Sequence, residues 1–222
     1  MWLLWTGAGI AILVVMLVAL ERSERRRRAA IGELAQRLDL AFSPDMDDAV
    51  GRPYEFLQTL FGGFDRYGFN VCSGIHAGHP VRYFDFQYRT FGGKQSTSHY
   101  LSIVVLEHDL SFPRLEIGPR KIEHAVLRAL DLDTIRLESE EFNAAYFVAS
   151  NDRRFASDFC HPRMMAALLS MTPVHIEIEN GYIAAWAQPR MPVERIQLVL
   201  DDLVRIRELI PAHICTDWAS NS

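Results

Sequence analysis

The chain has 222 residues, of which 49% are hydrophobic and 23% are charged, and its formal net charge is −5. These proportions are ordinary for a globular protein, so the chain can bury one core or two small ones. Residues 21–28 carry a charge of +3, so the remainder carries −8. An acidic remainder excludes the broad basic face that nucleic-acid binding requires, and no nucleic-acid partner is expected.

The three cysteines are few and far apart. Cys72, Cys160 and Cys215 are an odd number, and none belongs to a CxxC pair. This spacing excludes a disulfide framework and a zinc site of known pattern. Reduced thiols agree with a domain in the cytoplasm.

An uncharged apolar run over residues 1–20 opens the chain. About 20 apolar residues are needed to cross a hydrocarbon core of roughly 30 Å, so the run predicts a transmembrane helix. Trp2 and Trp5 suit one membrane interface, where indole rings prefer to lie. The residues predicted for the other interface are Arg22, Arg25, Arg26, Arg27 and Arg28.

The position of these arginines predicts an orientation. No Lys or Arg precedes the apolar run and five Arg follow it, so the positive-inside rule places the amino terminus outside and the following domain in the cytoplasm. A cleaved signal peptide would have the reverse charge order and a small-residue cleavage site. The arginines would also attract anionic headgroups of the cytoplasmic membrane, by about 1 kcal/mol each.

The first half of the remaining chain predicts a helix followed by strands. Residues 29–40 have helical apolar spacing, and residues 43–52 are polar and rich in turn formers. In residues 81–90 aromatic side chains alternate with polar ones, which predicts a half-buried strand with Asp85 on its polar face, paired with Arg82 or Arg89. Two further strands are predicted over residues 99–106 and 112–117.

The second half predicts helices around one hairpin. Short helices are predicted over residues 121–130 and 162–170, and a strand over residues 141–150. In residues 175–186 Ile and Glu alternate before Asn180-Gly181, which predicts a type I′ hairpin turn. Pro192 then opens a final amphipathic helix that Pro211 ends.

Hairpins outnumber crossovers in this order, so the predicted fold class is α+β. We expect an N-terminal transmembrane helix, then a soluble domain with an antiparallel sheet of hairpins or a meander and flanking helices. The predicted divisions are an anchor over 1–20, a basic juxtamembrane collar over 21–28, a helix and linker over 29–52, and a cytoplasmic α+β domain over 53–214. Within this domain, 67–130 and 141–210 are candidate sub-blocks.

Two groups of residues are candidates for chemistry. His76 and His79 form an HxxH in a turn, but a zinc site needs at least three converging groups, and sequence alone does not show whether His99 or His108 joins them. Cys160 precedes His161, yet adjacent side chains rarely face each other as a catalytic pair must. No catalytic residue, cofactor or complete metal site is therefore assigned.

Four segments carry a resemblance to a known family. They are Asn-Val-Cys-Ser-Gly at 70–74, the aromatic strand at 81–90, Glu-Phe-Asn at 141–143 and Ser-Asn-Asp at 150–152. In this order they resemble a family of uncharacterised bacterial single-pass membrane proteins with an N-terminal helix and a soluble α+β domain. The resemblance covers most of residues 30–210. It implies membrane attachment and this fold, and it brings no activity or cofactor.

These observations predict a membrane-anchored interaction or scaffold module at the cytoplasmic face of the membrane. Its expected partners are the lipid bilayer, anionic headgroups and another protein, and a non-enzyme is preferred. One alternative is a membrane-bound hydrolase or metal-dependent enzyme that uses the His76/His79 turn, Asp85 or Cys160. Another is an anionic-lipid-binding domain that works with the arginine collar.

Overall fold

The computed structural model describes residues 2–54, 56–57, 63–92, 95–122 and 134–218, with side chains described from Val14 onward. Helix α1 spans Trp2–Arg37 without a break, so the predicted divisions after residues 20 and 28 fall inside one helix. Its last third is amphipathic. Ile31, Leu34 and Ala35 are buried at helical spacing, and they pack α1 onto the sheet.

No helix in the described part of the chain combines the length and the apolar character that crossing a membrane requires. The prediction of a transmembrane, single-pass anchor over residues 1–20 is corrected by this finding.

An antiparallel sheet of six strands forms the centre of the domain. The strands are β1 Ala41–Ser43, β2 Phe64–His76, β3 His79–Gly92, β4 Gln95–Pro119, β5 Tyr146–Ser150 and β6 His175–Ala187. Strands β1 to β5 are neighbours in chain order, and β6 pairs with β4. The predicted α+β class with an antiparallel sheet and flanking helices is confirmed.

Five further helices follow α1 in the described residues. They are α2 Glu140–Ala145, α3 Arg153–Phe159, α4 Pro162–Ser170, α5 Val193–Leu209 and α6 Ala212–Asp217. Short 3-10 turns lie at Arg52–Tyr54 and Arg120–Ile122. The predicted helices over 162–170 and between the two prolines are confirmed. Most of the predicted helix over 121–130 lies outside the described residues.

The sheet is buried on both faces, so β3 is not the half-buried strand that its alternation predicts. On one face the larger core joins the sheet to α1 and α5 through residues such as Val104, Val199 and Leu203. On the other face Phe84 and Phe86 pack with residues from the segment before β2. The polar positions of β3 therefore face a core, and Asp85 must be paired there.

The predicted hairpin at Asn180-Gly181 is wrong. Strand β6 runs through both residues, and its two halves pair with the same strand, β4, across an irregular register between Glu107 and Phe112. Asn180 has φ +51°, so the residue suited to a turn forms a local irregularity within the strand. Since β4 is long enough to pair with both halves, the chain has no need to fold back on itself there.

Candidate functional site

Arg27 and Asp85 form an ion pair that fastens α1 to the sheet. The guanidinium donates from Nε and Nη2 to the two carboxylate oxygens of Asp85, each at 2.8 Å, and the Asp85 side chain is 0% exposed. Asn70, Tyr83 and Ser102 also donate to this carboxylate. Burial alone would raise the pKa of Asp85, but the hydrogen bonds and charge of Arg27 outweigh it and hold the pKa below its usual value.

A second ion pair lies beside the first. Arg190 donates from Nη1 to Glu24 at 2.9 Å, and the same nitrogen lies 3.5 Å from Asp85. The guanidinium also lies over the rings of Phe69 and Tyr100, at 5.7 Å and 5.4 Å from their centroids. Glu24 is one turn before Arg27 in α1, so the helix is held against the sheet from Glu24 onward.

Neither arginine predicted to pair with Asp85 contacts it. Arg82 lies over the Tyr54 ring, 5.9 Å from its centroid, and Arg89 lies 3.2 Å from Asp65. The actual partner comes from a different element, 58 residues earlier in the chain. The prediction was wrong because it considered only neighbours on the same strand.

On the amino-terminal side of Glu24, helix α1 exposes an apolar surface, which we call the apolar arm and define as residues 14–20. Six of its side chains are between 39% and 69% exposed. They are Val14, Val15, Met16, Leu17, Val18 and Leu20. Val14, Val15 and Val18 line one side of the helix together with Arg22 and Arg26. Apolar and basic side chains therefore form one continuous stripe.

The residues predicted for the membrane interface have different positions. Arg22, Arg25, Arg26 and Arg28 are exposed, and Arg25 contacts Glu21 at 2.6 Å. Arg27 instead points inward to Asp85. Trp2 and Trp5 belong to helix α1, but their side chains are outside the described part of the structure.

A second buried ionic group, which we call the acid–histidine cluster, consists of Arg114, Glu116, His175 and Glu177. Its side chains project from β4 and β6, where Glu116 and Glu177 are direct register partners. His175 Nε2 lies 2.6 Å from Glu116 Oε2 and 3.5 Å from Glu177 Oε1. Arg114 donates to Glu116 Oε1 at 2.9 and 3.0 Å, and the Trp186 indole donates to Glu177 Oε1 at 2.7 Å.

Burial changes the proton affinity of this cluster. It raises the pKa of Glu116 to about 7, against the lowering effect of Arg114. Burial, and then the charge of Glu116, raise the pKa of Glu177 to about 8. Burial lowers the pKa of His175 to about 4, so the imidazole is neutral at neutral pH. At neutral pH the two buried glutamates therefore hold protons more readily than an exposed glutamate does.

Of the histidines singled out in the sequence, His99 lies away from the His76/His79 turn, whereas His108 on β4 is near enough to His79 for the two to interact electrostatically. His76 and His79 face each other across the two-residue turn between β2 and β3, and His76 Nε2 contacts Asp201 at 2.7 Å. His99 lies toward the opposite end of β3, stacked on Tyr88 at 4.7 Å. His79 begins β3, whereas His99 on β4 pairs with Tyr88 near the other end of β3, so no metal site among the described residues unites His79 and His99.

Cys160 is unsuited to act as a nucleophile. Its thiol is buried, and burial raises its pKa to about 12, so it stays protonated at neutral pH. The neighbouring His161 directs Nε2 to the backbone oxygen of Leu209, at 3.0 Å. The structure therefore supports the sequence argument against a Cys160–His161 pair.

The acid–histidine cluster was missed in the sequence. The alternation of Ile176 and Ile178 with Glu177 is typical of a strand with one solvent face, so it gives no sign that Glu177 is buried. The pairing strand carries Arg114 and Glu116 at the same spacing, which was the available signal. Recognising it requires the register between β4 and β6, which are about 60 residues apart.

No protein-family model and no curated protein sequence matches the chain. Its structure is similar to that of the mycobacterial trehalose monomycolate transport factor A, TtfA. The likeness has a TM-score of 0.58, covers 87% of this chain and 95% of that chain, and comes with 14% sequence identity. It shows a shared fold. The resemblance to a family of bacterial membrane proteins stays a prediction.

Proposed function

We propose that the protein is an interaction module at the cytoplasmic face of the membrane. In this proposal the apolar arm and the arginines beside it contact lipid, and the folded domain contacts a protein partner. The observation that carries the proposal is the exposed stripe in which Val14, Val15 and Val18 continue into Arg22 and Arg26.

The chemistry of this stripe favours lipid as its contact. Contiguous exposed apolar surface is rare on a protein that has no partner for it. An apolar helix side next to arginines matches the layers of a membrane surface, where acyl chains lie below anionic headgroups. The ion pairs of Glu24 and Arg27 support the proposal further, because they fix the direction in which α1 leaves the domain.

A protein contact is supported by an exposed aromatic side chain at the end of the β3–β4 pair where β3 leads into β4. Phe91 is 77% exposed and stacks on Phe64 with the ring centroids 4.2 Å apart. Exposed aromatic pairs are frequent anchors of protein interfaces. The name of TtfA describes a factor in transport, and an accessory role of this kind agrees with an interaction module.

Vesicle flotation tests the lipid contact. The full chain is mixed with vesicles of phosphatidylcholine alone or with added phosphatidylglycerol. We expect it to float with both and to bind the anionic vesicles more tightly. The double variant Val15→Glu/Val18→Glu should stop floating, because two charges would have to enter the apolar layer. Leu198→Glu, at an exposed position of α5, is the matched control and should float like the unchanged chain.

The arginines are tested separately. Arg22→Gln/Arg26→Gln should lose about 2 kcal/mol of binding to anionic vesicles, which is about 30-fold in affinity, and nothing on neutral ones. Arg163→Gln, at an exposed position of α4, is the matched control. Flotation of the Val15→Glu/Val18→Glu variant at the level of the unchanged chain would contradict the lipid contact.

The protein contact is tested by quantitative capture from detergent-solubilised membranes, with the full chain as bait. We expect a partner at a constant ratio to the bait, and we expect Phe91→Ser to reduce that ratio without changing flotation. If no protein is held at a constant ratio under several conditions, the scaffold part of the proposal fails while the lipid contact still stands.

A further inference from the structure

We propose that the acid–histidine cluster binds one first-row divalent cation, with Glu116, His175 and Glu177 as its ligands. This inference goes beyond the proposed function, since the cluster lies in the sheet and takes no part in the lipid contact. Zn²⁺ is the cation we expect, because it accepts imidazole nitrogen and carboxylate oxygen in one site.

The geometry brings three donors to one point. One ligand atom from each of Glu116, His175 and Glu177 lies within 4.8 Å of the other two. The two glutamates are register partners on adjacent strands, and His175 is two residues before Glu177 on the same face of β6. Two paired strands of fixed register hold these donors, so little ordering is needed to close the set around a cation.

The charges of the surroundings favour a doubly charged ion. Arg114 lies 2.9 Å from Glu116, 3.7 Å from Glu177 and 3.9 Å from Glu179. Three carboxylates surround this single guanidinium, so when all three are ionised they exceed it by two negative charges, one of them on the partly exposed Glu179. A divalent cation balances that excess, and in a buried site an unbalanced charge is costly.

The other buried ionic group of the protein provides a comparison. There the carboxylates of Asp85 and Glu24 meet the guanidiniums of Arg27 and Arg190, so the charges are equal in number. The neutral donors around Asp85 also satisfy its oxygens. The acid–histidine cluster differs in both respects, although both groups involve carboxylates on the same sheet.

The remaining contacts already orient the ligands. Arg114 donates two hydrogen bonds to Oε1 of Glu116, and the Trp186 indole donates one to Oε1 of Glu177. Partners of this kind fix metal-binding carboxylates in known sites. Oε2 of Glu177 is buried and accepts no hydrogen bond, although the residue is only 1% exposed. This oxygen, which has Arg114 Nη2 at 3.7 Å but no hydrogen-bond donor, belongs to a ligand residue and is a second indication of a bound ion.

The position of the cluster indicates a structural ion. All three ligands are buried, so within the described residues the site has no open side for a substrate. The ligands come from β4 and β6, so the ion would join these two strands.

Metal titration tests this proposal. The full chain is stripped with a chelator, and Zn²⁺ is then added in competition with a chromophoric indicator. We expect one equivalent of tight binding and a rise in Tm. Glu177→Gln keeps the side-chain shape and should abolish the tight equivalent. Trp186→Phe removes the hydrogen bond to Glu177 together with part of the ring that packs on His175, and it should weaken binding by about 10- to 100-fold.

His76→Ala/His79→Ala is the control, because these histidines are the surface pair in a position to bind Zn²⁺ without the cluster. It should leave the tight equivalent unchanged. Circular dichroism of the stripped variants shows whether each one folds, and Glu116→Gln replaces Glu177→Gln if the latter does not. The proposal is overturned if the folded chain binds no equivalent, or if binding survives Glu177→Gln and is lost in the histidine control.

Discussion

The replacement Arg27→Met removes the cation that fastens α1 to β3 while keeping a long apolar side chain. The carboxylate of Asp85 would then be left fully buried, with three neutral donors and Arg190 at 3.5 Å. Loss of one partner of a buried ion pair costs about 3–5 kcal/mol. Since Arg190 remains nearby, we expect a value at the low end, about 3 kcal/mol.

The cost should depend on pH. In the unchanged chain the pKa of Asp85 is below its usual value, so its contribution to stability is present above the unfolded pKa of about 4 and is lost as pH falls through the folded pKa. Without Arg27, burial raises the pKa of Asp85, and a proton then relieves the buried charge. The cost of Arg27→Met should therefore be large at about pH 7 and small at about pH 4.

Urea unfolding at both pH values measures this cost. With a common slope of about 2–3 kcal/mol per molar urea, the midpoint should fall by about 1 M at neutral pH. Arg25→Met is the matched control. Its partner Glu21 is on the same exposed side of α1, with side chains 75% and 63% exposed, so its loss should cost at most about 0.5 kcal/mol. The reasoning is refuted if both variants cost the same, or if the cost of Arg27→Met does not change with pH.

Two further predictions concern the core. In the native chain iodoacetamide should label Cys215 well before Cys160, whose pKa burial raises to about 12, and peptide mass spectrometry would reveal equal rates if this is wrong. Gly118→Ala would place a Cβ 2.5 Å from His175 Nδ1, so it should lower the free energy of unfolding by about 1–3 kcal/mol. Gly92→Ala is its control, with no atom nearer than 3.8 Å, and an equal loss in both variants by urea unfolding would contradict this explanation.

Features with a local physical cause could be predicted from the sequence. The final helix was expected between Pro192 and Pro211, and α5 covers Val193–Leu209, because prolines and apolar spacing act within a few residues. The pair Asn180-Gly181 was an equally strong local signal, and it predicted a hairpin turn. It failed because pairing with the distant strand β4 stabilises an extended chain there.

The two buried ionic groups depend on contacts that the sequence does not encode locally. Five arginines follow the apolar run, and only the rotation of α1 relative to β3 decides that Arg27 turns inward. In the same way, Glu177 reads as a surface residue until the register places it opposite Glu116. The sequence therefore suggests candidate sites among neighbouring residues such as His76 and His79. The assembled cluster instead comes from two strands that are paired in space but far apart in sequence.

The length of β4 has a consequence for how the molecule folds. This one strand of 25 residues pairs with β3 on its first half, with β5 on its second half and with β6 along both. The candidate sub-blocks over 67–130 and 141–210 thus share their central strand, and neither can complete its hydrogen bonding alone. Because the β4–β6 contacts join residues far apart in sequence, the domain should fold slowly and as one cooperative unit.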